Sequence, residues 1–155
     1  MVKTNALRIV EAAGMPHAVH EYDASDGAID GLSVAAKTGQ NPDCVYKTLV
    51  TAGKTTGYNV FVIPVACALD LKKAAAAAGD KSIEMIKSRE LEPLTGYIHG
   101  GCSPVGMKKP FPVFIEEAAQ MLDTMCVSAG RVGLQMELAP DALVNLTRAV
   151  FRDLV

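Results

Sequence analysis

Two segments carry residues whose types and spacing could do chemistry. The first is Gly96-Tyr97-Ile98-His99-Gly100-Gly101-Cys102-Ser103-Pro104-Val105-Gly106-Met107-Lys108-Lys109, dense in glycine, closed by a Ser-Pro step and ending on two cations. A backbone with no Cβ in the way lets its N–H groups approach a ligand closely. Successive N–H groups from Gly100 to Ser103 would form an anion nest, or an oxyanion hole for the tetrahedral intermediate of an ester. The plainer reading is a tight turn before a strand, and a glycine pair alone does not separate the two. The second segment is Val45-Tyr46-Lys47-Thr48-Leu49, a lysine set inside an apolar, strand-like run. On a strand Lys47 shares a face with Val45 and Leu49. If that face turns inward the ammonium is carried into a pocket, whereas most lysines snorkel to water. An ammonium so placed anchors a phosphate or a ribose oxygen beside a scissile ester. Bare loop and inward cation together point to a ligand that is anionic or carries a carbonyl.

Other reactive residue types offer less. Cys102 lies near His99 in sequence, but a thiol nucleophile needs its imidazole in space, not in sequence. His17 and His20 are three apart in a strand and face opposite sides, and no Asp or Glu cluster completes a metal site, so neither metal nor cofactor is expected. Cys44, Cys67, Cys102 and Cys126 are widely spaced with no C-x-x-C, and read as reduced thiols rather than a zinc ribbon or a redox pair.

The elements that must position these residues follow from periodicity. Ala6, Ile9, Val10 and Ala13 make one helical stripe, stopped by Gly14 and Pro16. His17 to Tyr22 alternates as a strand, and residues 23–31, polar and glycine-containing, read as a mobile loop. Ser33 to Lys37 is a short helix closed by Gly39. Val45 to Thr51 and Tyr58 to Pro64 are joined by a short turn and should pair as an antiparallel hairpin. Asp70 caps a helix through Ala74 to Ala78, ended by Gly79. A strand over Ile83 to Ile86 and a helix over Ser88 to Leu94 lead into the glycine loop. Val113 to Ile115, Cys126 to Ser128 and Leu134 to Leu138 are three more strands. A last helix starts at Pro140 and packs through Leu143, Leu146, Val150 and Leu154. The expected fold is α+β: one domain over residues 1–155, a mixed, mostly antiparallel and barrel-like sheet flanked by helices.

Composition narrows the partners. The chain has 155 residues, half of them hydrophobic, and a formal charge of −2. That balance excludes a disordered chain and gives no global attraction to nucleic acid, so RNA would need a local patch, and no DNA partner is expected. Met1-Val2-Lys3-Thr4-Asn5 shows no signal pattern and no apolar run reaches the ~20 residues of a membrane span, so a cytoplasmic protein without a membrane partner is expected.

Taken in order, "VYKTL", "GYIHGGCSPVGMKK" and "VSAGRVGL" resemble the YbaK/EbsC family of aminoacyl-tRNA deacylases, related to the editing domain inserted in some bacterial prolyl-tRNA synthetases. The GG-x-SP-x-G-x-KK loop is most similar to the branch that hydrolyses Cys-tRNA(Pro). The resemblance implies a YbaK-type domain that deacylates mischarged Cys-tRNA(Pro) at its CCA end, with prolyl-tRNA synthetase as a partner. Deacylation of Ala-tRNA(Pro) and a non-catalytic tRNA- or nucleotide-binding module are the alternatives. It implies that Lys47 holds the ribose–phosphate end, that Gly100 and Gly101 stabilise the oxyanion, and that the substrate's own thiol attacks its ester. The substrate-binding positions that match are Tyr22, Thr48, Ser103, Pro104, Ser128 and Gly130. Gln135 stands at a position often acidic in the family, where a neutral amide still hydrogen-bonds a ribose or an amino group. The family has an apolar residue at the position of Cys102, which argues against a catalytic thiol, and Ile29 takes the place of a loop aromatic. Lys108 and Lys109 are the favoured contacts to an acceptor stem, ahead of Lys54, Lys72, Lys73 and Arg131.

Overall fold

The helices begin where short polar side chains meet the first free backbone N–H groups. In the computed structural model, which describes residues 3–155, Thr4 accepts a hydrogen bond from Leu7 N and opens α1 (Asn5–Ala12). Asp30 does the same for α2 (Gly31–Thr38), and Asp70, accepting from the N–H groups of Lys72 and Lys73, for α3 (Leu71–Ala78). Glycines at φ of 69, 70 and 82° close α2, α3 and α4 (Ser88–Thr95), a backbone setting that other residues rarely adopt. α5 (Pro140–Thr147) carries proline in its first turn, where no N–H is missed. The start of the chain, read above as free of a signal pattern, lies partly in residues 1–2, outside those described. No helix among the described residues is long and apolar enough to cross a membrane.

The strands form two sheets. β1 (His17–Glu21), β7 (Leu134–Leu138) and β6 (Met125–Arg131) run antiparallel in the order β1-β7-β6. β2 (Tyr46–Gly53) and β3 (Gly57–Pro64) are the expected hairpin, flanked by β4 (Ile83–Met85) on one side and β5 (Val113–Glu116) and β8 (Val150–Arg152) on the other. The pairings β3–β5 and β5–β8 are parallel, the rest antiparallel. The expectation of a barrel-like sheet is therefore corrected. Among the described residues one isolated parallel bridge, Val45 to Cys126, pairs the backbones of the two sheets, and they do not close.

The C-terminal expectation also changes. The apolar spacing of Leu143, Leu146, Val150 and Leu154 continues a helical period, yet the helix stops at Thr147, with Arg148 in the left-handed region at φ 59°. Val150 and Phe151 then pair with Phe114 and Ile115, because a β-branched and an aromatic residue gain more on a sheet edge than in another helical turn. The main core lies between the sheets, with Leu7 and Val10 of α1 and Leu143 of α5 against Val60, Val62, Val127 and Met136. A second cluster sets Phe61 and Ile63 on the other face of the hairpin against Ala74 and Ala75, whose small side chains let α3 come close.

Candidate active site

Beyond the Val45–Cys126 bridge the two sheets part. The bridge is parallel, so Lys47 and Ser128 each stand two residues past it on opposing walls. β4 covers β2 only at Thr51–Gly53, which leaves β2 without a strand on that side from Tyr46 to Leu49. The gap is a cavity of about 510 Å³, a size usual for a small-molecule site. Lys47, Thr48 and Leu49 form one wall, and Ser128 and Gln135 the other. Tyr22, Ile29 and Asp30 border it from the segment after β1, and His99, Gly100 and Cys102 from the glycine segment.

Several polar groups here have no protein partner. No carboxylate among the described residues lies within ion-pair distance of the Lys47 ammonium, so its charge is left to the cavity. Thr48 Oγ1 and Gln135 Oε1 are buried with no hydrogen-bond partner among the described residues; Gln135 as a whole is only 8% exposed. Most buried polar atoms are satisfied, so two orphans bordering one cavity point to a ligand. Ser128 Oγ accepts from Gly130 N at 3.2 Å, which leaves its hydroxyl hydrogen free to turn to a ligand.

The segment expected to be a mobile loop is tied down. Lys37 Nζ donates to Asp23 O (2.7 Å), Asp26 Oδ1 (2.7 Å) and Ala28 O (3.0 Å), and so clamps the turn that carries Ile29 and Asp30 to the cavity. Gly31 lies so close to Val65 that a Cβ would sit 2.3 Å from its Cγ1. Asp30, which the sequence reading did not single out, borders the cavity as well as capping α2. The Ser33 hydroxyl, donating to it at 2.6 Å, holds its carboxyl below the usual range. The Asp30-x-x-Ser33 capping pattern was the signal that could have found it.

The glycine segment divides into parts that face the cavity and parts that hold the loop. Gly100, at φ 84°, borders the cavity beneath Ile29, whose Cδ1 would be 2.8 Å from an added Cβ. The N–H groups of Gly100 and Cys102 meet no protein acceptor among the described residues. Gly101 N instead donates to Ile98 O at 3.0 Å, so the expected donor role of Gly101 is corrected: its N–H is spent inside the turn. Gly101 lies against the β6–β7 turn, where a Cβ would be 2.8 Å from Val132 N. Ser103, Pro104 and Gly130 do not reach the cavity. Ser103 Oγ accepts from Val105 N at 3.2 Å, Pro104 is buried beside it, and Gly130 makes room for the Tyr97 ring, whose hydroxyl donates to Val105 O at 2.6 Å. These four shape the loop rather than face a ligand.

Cys102 borders the cavity, but burial pushes its thiol up to about 12. No hydrogen bond joins it to His99 among the described residues, so it has neither the thiolate nor the base of a nucleophilic cysteine. His17 and His20 diverge as expected: His17 Nδ1 meets Met15 O at 2.9 Å, and His20 Nε2 meets Glu137 Oε1 at 2.8 Å.

Comparison with known proteins bears on the chemistry. Residues 30–146 match the aminoacyl-tRNA editing domain. Over 152 residues, 98% of this chain and 93% of the relative, the sequence is 47% identical to an Enterococcus faecalis protein named "Putative Cys-tRNA(Pro)/Cys-tRNA(Cys) deacylase EbsC". The fold superposes with a TM-score of 0.86, at 26% identity and over 99% and 98% of the two chains, on a crystal structure described as a "putative trans-editing enzyme for prolyl tRNA synthetase". A scaffold from computational epitope grafting shares the fold at a TM-score of 0.84, with 25% identity over 99% of this chain and 97% of the scaffold.

Proposed function

The chain belongs to the aminoacyl-tRNA editing domain family, and from that premise we propose that it is a single-domain hydrolase, residues 1–155, that frees cysteine from mischarged Cys-tRNA(Pro). The observation that carries the proposal is the convergence of a free ammonium, two orphaned polar atoms and a bare loop on one cavity. Terminal adenosine and aminoacyl ester enter between the walls. Lys47 holds the ribose–phosphate end, and Thr48 and Gln135 bind the ribose or the amino group. The Gly100 N–H, free of protein acceptors among the described residues, meets the oxyanion. Tyr22 and Ile29 cover the acyl group.

No side chain at the cavity supplies an activated nucleophile, and the substrate carries one. The cysteine sulfur bonds to its own carbonyl carbon, the bond from that carbon to the ribose oxygen breaks, and the thiol proton ends on the ribose hydroxyl. Water then opens the resulting thiolactone to free cysteine. Holding sulfur and carbonyl in register is the protein's contribution, and positioning of this kind supplies several kcal/mol. The need is physical: cysteine and proline are close in size, and a synthetase pocket rejects near-isosteres poorly, so a second site must clear the wrong product. On this reading the protein works in the cytoplasm beside prolyl-tRNA synthetase, with Lys108 and Lys109 near the acceptor stem.

A panel of mischarged tRNAs tests it. Cys-tRNA(Pro) is expected to be cleared, and Cys-tRNA(Cys) with it, because the chemistry reads the thiol and not the tRNA body. Ala-tRNA(Pro) and Ser-tRNA(Pro) are expected to be spared, the latter because a hydroxyl is the weaker nucleophile. Equal clearance of Ala-tRNA(Pro) would favour a broader deacylase, and binding without release a non-catalytic module. Cys102→Ala is expected to leave the rate nearly unchanged; complete loss would return the thiol to the mechanism.

A further inference from the structure

Beside the cavity, on the same face of the three-stranded sheet as Ser128 and Gln135, side chains from three strands meet. Cys126 and Glu137 are direct cross-strand partners on β6 and β7. His20 on β1 lies diagonally across from Glu137, whose own partner there is Ala18. An imidazole nitrogen, a thiol sulfur and a carboxylate oxygen thus come within 4.8 Å of one another. The Thr124 hydroxyl donates to Glu137 Oε2 at 2.5 Å, which leaves Oε1 to the other two groups. Gln40 Nε2 stands 3.5 Å from His20 Nε2. The deacylation described above uses none of these residues.

We propose that His20, Cys126 and Glu137 form a binding site for a thiophilic divalent cation of the zinc class, with the fourth position open to solvent. The mixed N, S and O donor set is the one zinc takes, and ligands at its bond lengths sit roughly 3–4 Å apart around a tetrahedron. Thr124 is the outer partner that fixes a ligating carboxylate. Cys126 is 1% exposed, but the side chains of His20 and Glu137 are each 26% exposed and give the ion its way in. On binding, the Cys126 S–H bond is exchanged for a sulfur–metal bond and the proton passes to solvent. A cation here would join all three strands of the sheet. It would fix β1, which leads into Tyr22, and β7, where Gln135 is the cross-strand partner of His20. It is a clamp on the cavity wall, not a participant in ester cleavage.

The test uses the full chain, stripped with a chelator and titrated with cobalt(II). One ion per chain is expected, with thiolate-to-cobalt charge-transfer absorption that zinc(II) abolishes by displacement. Cys126→Ser should lose that absorption, while Cys67→Ser should keep it. His20→Ala, at a part-exposed position that tolerates change, should weaken uptake by at least about 100-fold, and it decides the matter if Cys126→Ser does not fold. Substoichiometric uptake, absorption that survives Cys126→Ser, or affinity unchanged in His20→Ala overturns the proposal. None of these readouts depends on turnover, so they stand apart from the deacylation test.

Discussion

Lys47→Ala is expected to lower the rate of cysteine release from Cys-tRNA(Pro) by at least ~100-fold. An ammonium that holds the ribose–phosphate end fixes where the ester sits, a misplacement near 1 Å can cost roughly 100-fold in rate, and no carboxylate among the described residues draws on Lys47. The side chain is only half-buried at the cavity wall, so the variant should fold. Lys47→Met keeps most of the stem and removes the charge. A parallel fall in single-turnover rate assigns the effect to the ammonium, and a Met variant at wild-type rate would show that the cation does not touch the reaction.

Gly101→Ala is expected to cost both stability and rate, although Gly101 does not border the cavity. Its Cβ would fall 2.8 Å from Val132 N and 3.0 Å from the Arg131 carbonyl carbon. Those are backbone atoms that cannot swing aside, so the loop must back away from the β6–β7 turn and take Gly100 with it. Overpacking of this kind costs about 1–3 kcal/mol. A displacement approaching 1 Å at an oxyanion donor can cost roughly 100-fold in rate. Gly79→Ala is the control: its φ of 70° strains an alanine through the backbone rather than through a contact, nothing lies within 4 Å of the new Cβ, and it is not among the residues that line the cavity. It should lower the melting temperature and leave the rate alone. If Gly101→Ala unfolds at a lower temperature yet deacylates normally, the loop's position is not used in catalysis.

What could be read from the chain was what is decided locally. The hairpin of β2 and β3, the caps at Asp70 and the glycines closing α2 and α3 depend on residues within a few positions of one another, and each was legible. The end of α5 was not. Nothing near Val150 says that β5 offers it an edge, and a helical spacing of leucines persists by coincidence past Arg148. The cavity divides the same way. Lys47 is an unusual residue type for its strand and its type marked it, whereas Gln135 was marked by the family resemblance. Gly101 and Gly130 were equally conspicuous, but a glycine announces only that something comes close. For these two it is Val132 and Tyr97 rather than a ligand. His20, Cys126 and Glu137 lie on three strands far apart in the sequence, and only the register of β1, β7 and β6 brings them together.

The walls of the cavity belong to two hydrogen-bonded sheets that, among the described residues, share a single rung, Val45 to Cys126. Such an aperture can widen or narrow without rupturing either ladder, much as a book opens about its spine. Its working width is therefore governed by the bulk packed around that rung, notably Ala35 and Val65. Engineering the site for larger acyl groups should begin at the spine rather than on the pages.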